Sequence, residues 1–290
     1  MTGAENLPRP KIDLTAKIRA IPSHAGAMPE EARSPIAHFR RSAADAWNLL
    51  EYVERKFGQV DLYQQCADRH VSRLNRMVLA DLIENFERFL KELAAICVDN
   101  VASFVADNRF NKFRITGSAL AAHFGADTLG KSLCESDTWL DCNQINDRFR
   151  SLLAEPYEHS TFLIFPSTLD EEKRALDTLS LVWQIRHTIV HNVGVITKSD
   201  AIKLGILTKN PVSSPRVLTA TRDDVRYVKR FLDETAQACN NRVGNRLAQL
   251  LTSLHSSAPT LFDARELADR ISRVFGVALT IDGEIGSPAP

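Results

Sequence analysis

The sequence predicts an all-α fold, a helical bundle with irregular insertions and at most minor strand. Three observations carry this reading. Leu79, Leu82, Ile83, Phe86, Leu90, Leu93 and Cys97 recur with a period near that of an α-helix. Helix-start signals recur along the chain, at Ser34-Pro35, Asp170-Glu171-Glu172, Thr221-Arg222-Asp223-Asp224 and Asp263. Only two short stretches, Thr161 to Phe165 and Arg216 to Thr219, have extended character, which is too little for a real sheet.

The elements follow in order. Ser34 caps and Pro35 opens a helix to about Phe57, proline being tolerated where the first N–H has no helical partner. A longer helix runs from about Gln64 to Val105, and Ser136 or Asp137 caps one through Leu153. Three acids place negative charge at the start of a helix from Asp170 to about His191. Thr221 opens a helix to about Leu254, and Asp263 caps one through Phe275. The stretches Asn108 to Ser136 and Ile196 to Ser214 read as irregular insertions. The expected organisation is a Pro-rich extended or disordered arm over 1–34, a helical domain over 35–278 and a flexible tail over 279–290. Five of the twelve prolines fall in the first 35 residues, and the arm has an apolar anchor near Ile18 to Ile21.

Composition narrows the function classes. Lys plus Arg total 36 and Asp plus Glu total 36, so a polybasic tail-driven binder is excluded while a local basic patch is not. The longest uncharged stretches, Ile115 to Ala126 and Leu251 to Phe262, are shorter than the roughly 20 apolar residues a membrane-spanning helix needs. Met1 to Pro10 lacks the apolar core of a secretory signal. Five cysteines (Cys66, Cys97, Cys134, Cys142 and Cys239) lack any Cys-x-x-Cys spacing, so neither a zinc ribbon nor a disulfide framework is expected. The expected setting is the cytoplasm. Neither a GxxxxGK[ST] loop nor a GxGxxG turn is present, so no nucleotide cofactor is expected.

The informative segment runs from Trp183 to Gly194. Leu179, Val182, Ile185, Ile189 and Val190 make one apolar arc on a helical wheel, and Arg186 falls inside it. A guanidinium taken from water needs a carboxylate, a phosphate or several acceptors. Arg186 is therefore expected beside a partner, an interface or a ligand. His187 and His191 lie one turn apart on the polar side. Between Trp183 and Arg216, five bases (Arg186, Lys198, Lys203, Lys209 and Arg216) face the single acid Asp200, a net of plus four. A phosphate-binding site needs such a basic region.

Arg186-x4-His191 followed by Asn192 resembles the Arg-x4-6-His signature of HEPN domains (higher eukaryotes and prokaryotes nucleotide-binding). Upstream, Leu82 to Leu93 (LIENFERFLKEL) looks like the early HEPN helix that carries an acidic or polar residue. Downstream, Val217 to Val225 (VLTATRDDV) looks like the continuation seen in the RiboL-PSP branch. The resemblance spans roughly Arg69 to Ala248, with Asn108 to Ser136 unmatched. It implies a metal-independent endoribonuclease in a HEPN-like helical bundle. It also implies a homodimer whose two motifs face one cleft, and a toxin or antiviral (phage-defence) role with RNA as substrate. An antitoxin or a sensor would then be a further partner.

The residue types suit that chemistry. Metal-free RNA cleavage needs a base for the 2′-hydroxyl, an acid for the leaving 5′-oxygen and a cation for the charged phosphorane. Histidine, with an unperturbed pKa of about 6.5, serves as either acid or base near neutrality. Arginine stays charged and forks onto phosphate oxygens. On this reading His191 is the acid–base residue and Arg186 stabilises the phosphate. Asn192 and His187 support them, Lys198 and Lys203 draw RNA in, and Glu87 is the acidic partner, with Glu84 further toward solvent. Arg186 and His191 lie about 140° apart on the wheel, which favours completion of the site by a second subunit. His187 and His191 also have the spacing of two metal ligands, but Thr188 stands where a zincin has Glu and no third ligand is evident. No metal is therefore expected. The competing readings are a non-catalytic HEPN-like module that binds RNA or a partner, and a helical adaptor in which the motif is accidental.

Overall fold

The computed structural model describes residues 34–57, 64–113, 128–135, 139–154 and 161–288. The arm expected over 1–34 thus lies, but for Ser34, outside the described residues. Two long helices form the frame. Helix α1 (Pro35–Phe57) leads into α2 (Gln64–Val101), whose apolar face from Val78 to Val101 is buried almost without exception. The two helices lock through aromatic rings: the Phe39 ring lies 6.0 Å from Phe86 and 5.9 Å from Phe89. Further along are a short α3 (Leu129–Glu135), then α4 (Cys142–Leu153) and α5 (Asp170–His191). Gly130 lets α3 lie against the α2 backbone, because a Cβ there would collide with the Ala95 carbonyl.

After α5 the chain forms strand β1 (Val195–Ile196), helix α6 (Lys198–Thr208) and strand β2 (Arg216–Val217), which pairs antiparallel with β1. A further long helix, α7 (Arg222–Ser257), then crosses the domain and buries Val225, Leu232, Ala236, Val243, Leu247 and Leu251. Helix α8 (Ala264–Phe275) and a hairpin of β3 (Thr280–Ile281) and β4 (Glu284–Ile285) close the fold. Helix α2 touches α1, α3, α4, α5 and α7, so it is the axis of the core. The all-α expectation holds for the described residues, with two two-stranded pairings as the minor strand.

The structure departs from the sequence reading at several boundaries. Helix α2 ends at Val101, not Val105, where the chain turns and Phe104 meets the Phe262 ring at 5.4 Å. Helix α4 is capped by Asp141, whose carboxylate accepts from Gln144 N at 2.9 Å; Ser136 and Asp137, the expected caps, lie outside the described residues. Its start is delayed because Trp139 is fully buried just before it, with the indole N–H donated to the Cys134 carbonyl at 3.1 Å. Thr161 to Phe165 forms no strand.

The insertion read over Ile196 to Ser214 is mostly helix α6. The flexible tail read over 279–290 is an ordered hairpin as far as it is described. Ile281 is fully buried, Leu279 N donates to Ser272 Oγ at 2.9 Å, and Asp282 N donates to Thr252 Oγ1 at 3.0 Å. Asp282 (φ 48°) and Gly283 (φ 86°) make the two-residue turn, a sequence signal for a hairpin.

Candidate functional site

Helix α5 carries the motif, and its start is well defined. The Glu172 carboxylate accepts from Thr168 N at 2.9 Å and Leu169 N at 3.0 Å, satisfying donors at the helix entrance. Those backbone bonds, with the Thr168 hydroxyl, hold Glu172 below the usual carboxylate range. Leu179, Val182 and Trp183 face the core.

The Arg186 side chain is only 18% exposed, and Nη2 donates to Glu84 Oε1 of α2 at 3.0 Å. The expectation of a partnered Arg186 is met, but the partner is Glu84 and not Glu87. Glu87 Oε1 accepts from Trp139 N at 3.3 Å and lies 3.3 Å from Lys91 Nζ, so it anchors the chain entering α4. Burial was the misleading criterion. Arg186 sits at the rim of the α2–α5 contact, and its long side chain reaches the more exposed of the two acids. Arg186 Nε is itself buried without a hydrogen-bond partner.

His187 and His191 are both exposed, with ring centroids 4.8 Å apart and planes tilted by 42°. Arg186 and His191 therefore face different surroundings, one mostly buried against α2 and the other at the surface.

The end of α5 is held by a network that the sequence did not reveal. Asp200 on α6 is 2% exposed. Its Oδ2 accepts from Asn192 Nδ2 at 2.7 Å, from Thr197 N at 3.1 Å and from Thr197 Oγ1 at 2.9 Å. Its Oδ1 accepts from Gln184 Nε2 at 3.0 Å. Burial alone would raise the Asp200 carboxyl, but the bonds from Thr197 and Asn192 and the nearby His187 together hold it below its ordinary value. Asn192 thus orients the helix end by binding Asp200. Thr197-x-x-Asp200 is a capping box with Asp at its third position, and that pattern was the available signal.

The turn after His191 is tight. Asn192 N and Gly194 N both donate to the Thr188 carbonyl, at 3.2 and 2.9 Å, while Val193 (φ 53°) and Gly194 (φ 79°) are left-handed. Arg76 from α2 spans this turn. Its Nη1 donates to the Leu218 carbonyl at 3.1 Å and lies within 2.9 Å of where a Cβ on Gly194 would stand.

The basic excess is sharper in three dimensions. Arg186 is paired and Asp200 is buried, which leaves Lys198, Lys203, Lys209 and Arg216 exposed around α6 and β2. No described acid pairs with any of these four. Apolar side chains are exposed beside them: Val193 (81%), the cross-strand pair Val195 (40%) and Val217 (59%), and Ile202 and Ile206 on α6.

A cleft of about 370 Å³ opens between the start of α4 and the middle of α5, with His187 on its wall. Among the described residues, no group of three or more His, Cys, Asp or Glu side chains could hold a metal ion. No described helix is long and apolar enough to cross a membrane. No family model, curated protein or solved structure matches the chain.

Proposed function

We propose that the protein is a HEPN-like, metal-independent endoribonuclease that works as a homodimer. One observation carries the reading: the Arg186–Glu84 pair joins two of the three segments on which the resemblance rests, with an exposed pair of histidines beside it. The acid that the early helix supplies to Arg186 is Glu84 and not the expected Glu87.

In the reaction, a histidine takes the proton of the 2′-hydroxyl and the 2′-oxygen attacks phosphorus. The bond from phosphorus to the 5′-oxygen breaks, and a second histidine protonates that oxygen. The products are a 2′,3′-cyclic phosphate and a 5′-hydroxyl, with no oxidant, reductant or metal required. His191 is the principal acid–base residue, and Arg186 supplies positive charge to the phosphorane. Glu84 holds the guanidinium through Nη2, and with Nε buried, Nη1 is the nitrogen left for phosphate. Lys198 and Lys203 contribute attraction for the RNA backbone.

The dimer follows from two features. Arg186 is largely buried against α2 while His191 is exposed, and a cleft shared by two copies would bring a second motif to each site. The exposed Val190, Val193, Val195 and Val217 around the motif give a second copy an apolar surface to cover. Neutralisation of Arg186 by Glu84 favours the other reading, a non-catalytic RNA-binding module.

The test is cleavage of end-labelled tRNA and mRNA in EDTA by the wild type and His191→Ala. Cyclic-phosphate ends formed by the wild type and lost in the variant support the nuclease. RNA binding without cleavage by the wild type selects the module, and efficient cleavage of an all-deoxy strand rejects the mechanism.

A further inference from the structure

The cleft beside His187 has a chemistry of its own. Leu140 and Trp183 give it apolar walls, while Asp141, Asn143, Ser180 and Gln184 give it hydrogen-bonding groups. Its volume of about 370 Å³ falls in the range of small-molecule sites, roughly 300–1,000 Å³. A flat heterocycle with two apolar faces and a polar edge matches that lining. His187 is common to the cleft and the motif, its ring 4.8 Å from that of His191, so an occupant would lie next to the reacting phosphate.

The polar groups are partly fixed in orientation. A carboxylate only accepts hydrogen bonds, so Asp200 forces Gln184 to turn its amide nitrogen inward at 3.0 Å. Gln184 Oε1 is then the free atom of the amide and is an acceptor. Asp141 Oδ1 is engaged by Gln144 N, which leaves Oδ2 as a second acceptor. Asn143 is exposed at the mouth and can turn either end of its amide to a ligand. Two acceptors call for an edge with two donors. Guanine offers N1–H and the N2 amino group side by side, with O6 left for the Asn143 amide. Uracil offers one donor between two acceptors and fits poorly.

We propose that this cleft is a guanine-binding subsite that selects the nucleotide beside the cut. The selection role rests on the nuclease reading, whereas binding of the base does not. Gln184 is then a specificity residue, and Asp200 is a positioning residue that acts through it.

The test has two arms, both on the full chain. In the first, guanosine and uridine 5′-monophosphates are titrated against ¹⁵N-labelled protein, with the Trp183 indole N–H signal as reporter. Guanylate should shift this signal, and uridylate should need at least about tenfold more ligand. Ser180→Leu, which fills the cleft, and Asn143→Ala, at an exposed position, should each weaken guanylate binding several-fold. Absence of a guanylate shift, equal response to uridylate, or indifference to both variants overturns the site.

In the second arm, RNA oligonucleotides carry a single guanine or inosine, which lacks the N2 amino group. Cleavage beside the base should fall about tenfold with inosine. Guanylate binding without any RNA cleavage overturns the nuclease and leaves the base site standing. Cleavage that ignores guanine overturns the site and leaves the nuclease standing.

Discussion

Arg186 Nη2 donates to Glu84 Oε1 at 3.0 Å across the contact between α2 and α5, and this bond joins residues 102 positions apart in sequence. Arg186 is 18% exposed and Glu84 is 49% exposed, so the pair is neither a free surface bridge nor a sealed one. A double-mutant cycle with Glu84→Gln and Arg186→Met should give a coupling energy of about 1 kcal/mol in urea unfolding, above most exposed pairs and well below a sealed pair. The activity readout separates position from stability. Glu84→Gln should leave the fold intact and lower RNA cleavage about tenfold, since a mispositioned cation loses about 1.4 kcal/mol of transition-state stabilisation. Glu87→Gln should leave the cleavage rate unchanged, because Glu87 serves Trp139 and Lys91.

Asp200 should matter more to stability than any exposed acid. It accepts four hydrogen bonds while nearly inaccessible to water. Asp200→Ala would strand donors on Gln184, Asn192 and Thr197, and should destabilise the protein by about 2–4 kcal/mol. The pH sign follows from the direction of its shift. The folded carboxyl is held below its unfolded value, so its contribution is complete above the unfolded pKa of about 4. That contribution should fade as pH falls toward the folded pKa. The gap between the urea midpoints of the wild type and Asp200→Asn, measured from pH 7 down to pH 3, should therefore narrow toward the acid end. A constant gap between them would show that Asp200 does not titrate as described.

The parts of the fold legible in the sequence are those whose burial is periodic. Helix α2 shows its face at Leu79, Ile83, Phe86, Leu90 and Leu93, and helix α7 shows its start at Thr221, because local sequence and tertiary packing agree there. Helix α6 was hidden because only Asp200, Ala201 and Leu204 are buried, while Ile202 and Ile206 face outward. Its stability comes from the Thr197–Asp200 cap and from a small second core of Ile196, Ala201 and Leu204 against Leu181 and Ile185. The site was legible in part. The wheel placed Arg186 in the buried arc, but choosing between Glu84 and Glu87 depends on the relative placement of two helices, which no local pattern encodes. Asp200, counted in sequence only as one negative charge, is the residue that holds the end of the motif helix.

The turn after His191 carries a strain that a substitution should relieve. Val193 is β-branched, 81% exposed and left-handed at φ 53°, a conformation that glycine adopts freely. Val193→Gly should stabilise the folded state by about 1 kcal/mol, less whatever the freer unfolded chain takes back. Gly194→Ala should act the other way. Its φ of 79° is unfavourable for alanine, and the new Cβ would press on Arg76 Nη1 at 2.9 Å. A loss of about 1–3 kcal/mol is expected. Thermal melts of the two variants should move in opposite directions, and a shared sign would mean that the turn does not hold this geometry.

Lys198 and Lys203 lie on the exposed side of α6, and no described acid pairs with them, so their charge is available to a polyanion. Each lysine that neutralises one phosphate of single-stranded RNA releases about 0.7 of a counterion. Lys198→Ala and Lys203→Ala should each flatten the plot of log affinity against log salt by about that amount, and should weaken binding equally for unrelated sequences. Stability should change by less than about 0.5 kcal/mol, because neither side chain is buried. Binding isotherms from 50 to 200 mM salt, read by fluorescence anisotropy on two unrelated RNA strands, check both statements. An unchanged slope in both variants would remove α6 from the RNA path and leave the motif helix to bind the backbone without it.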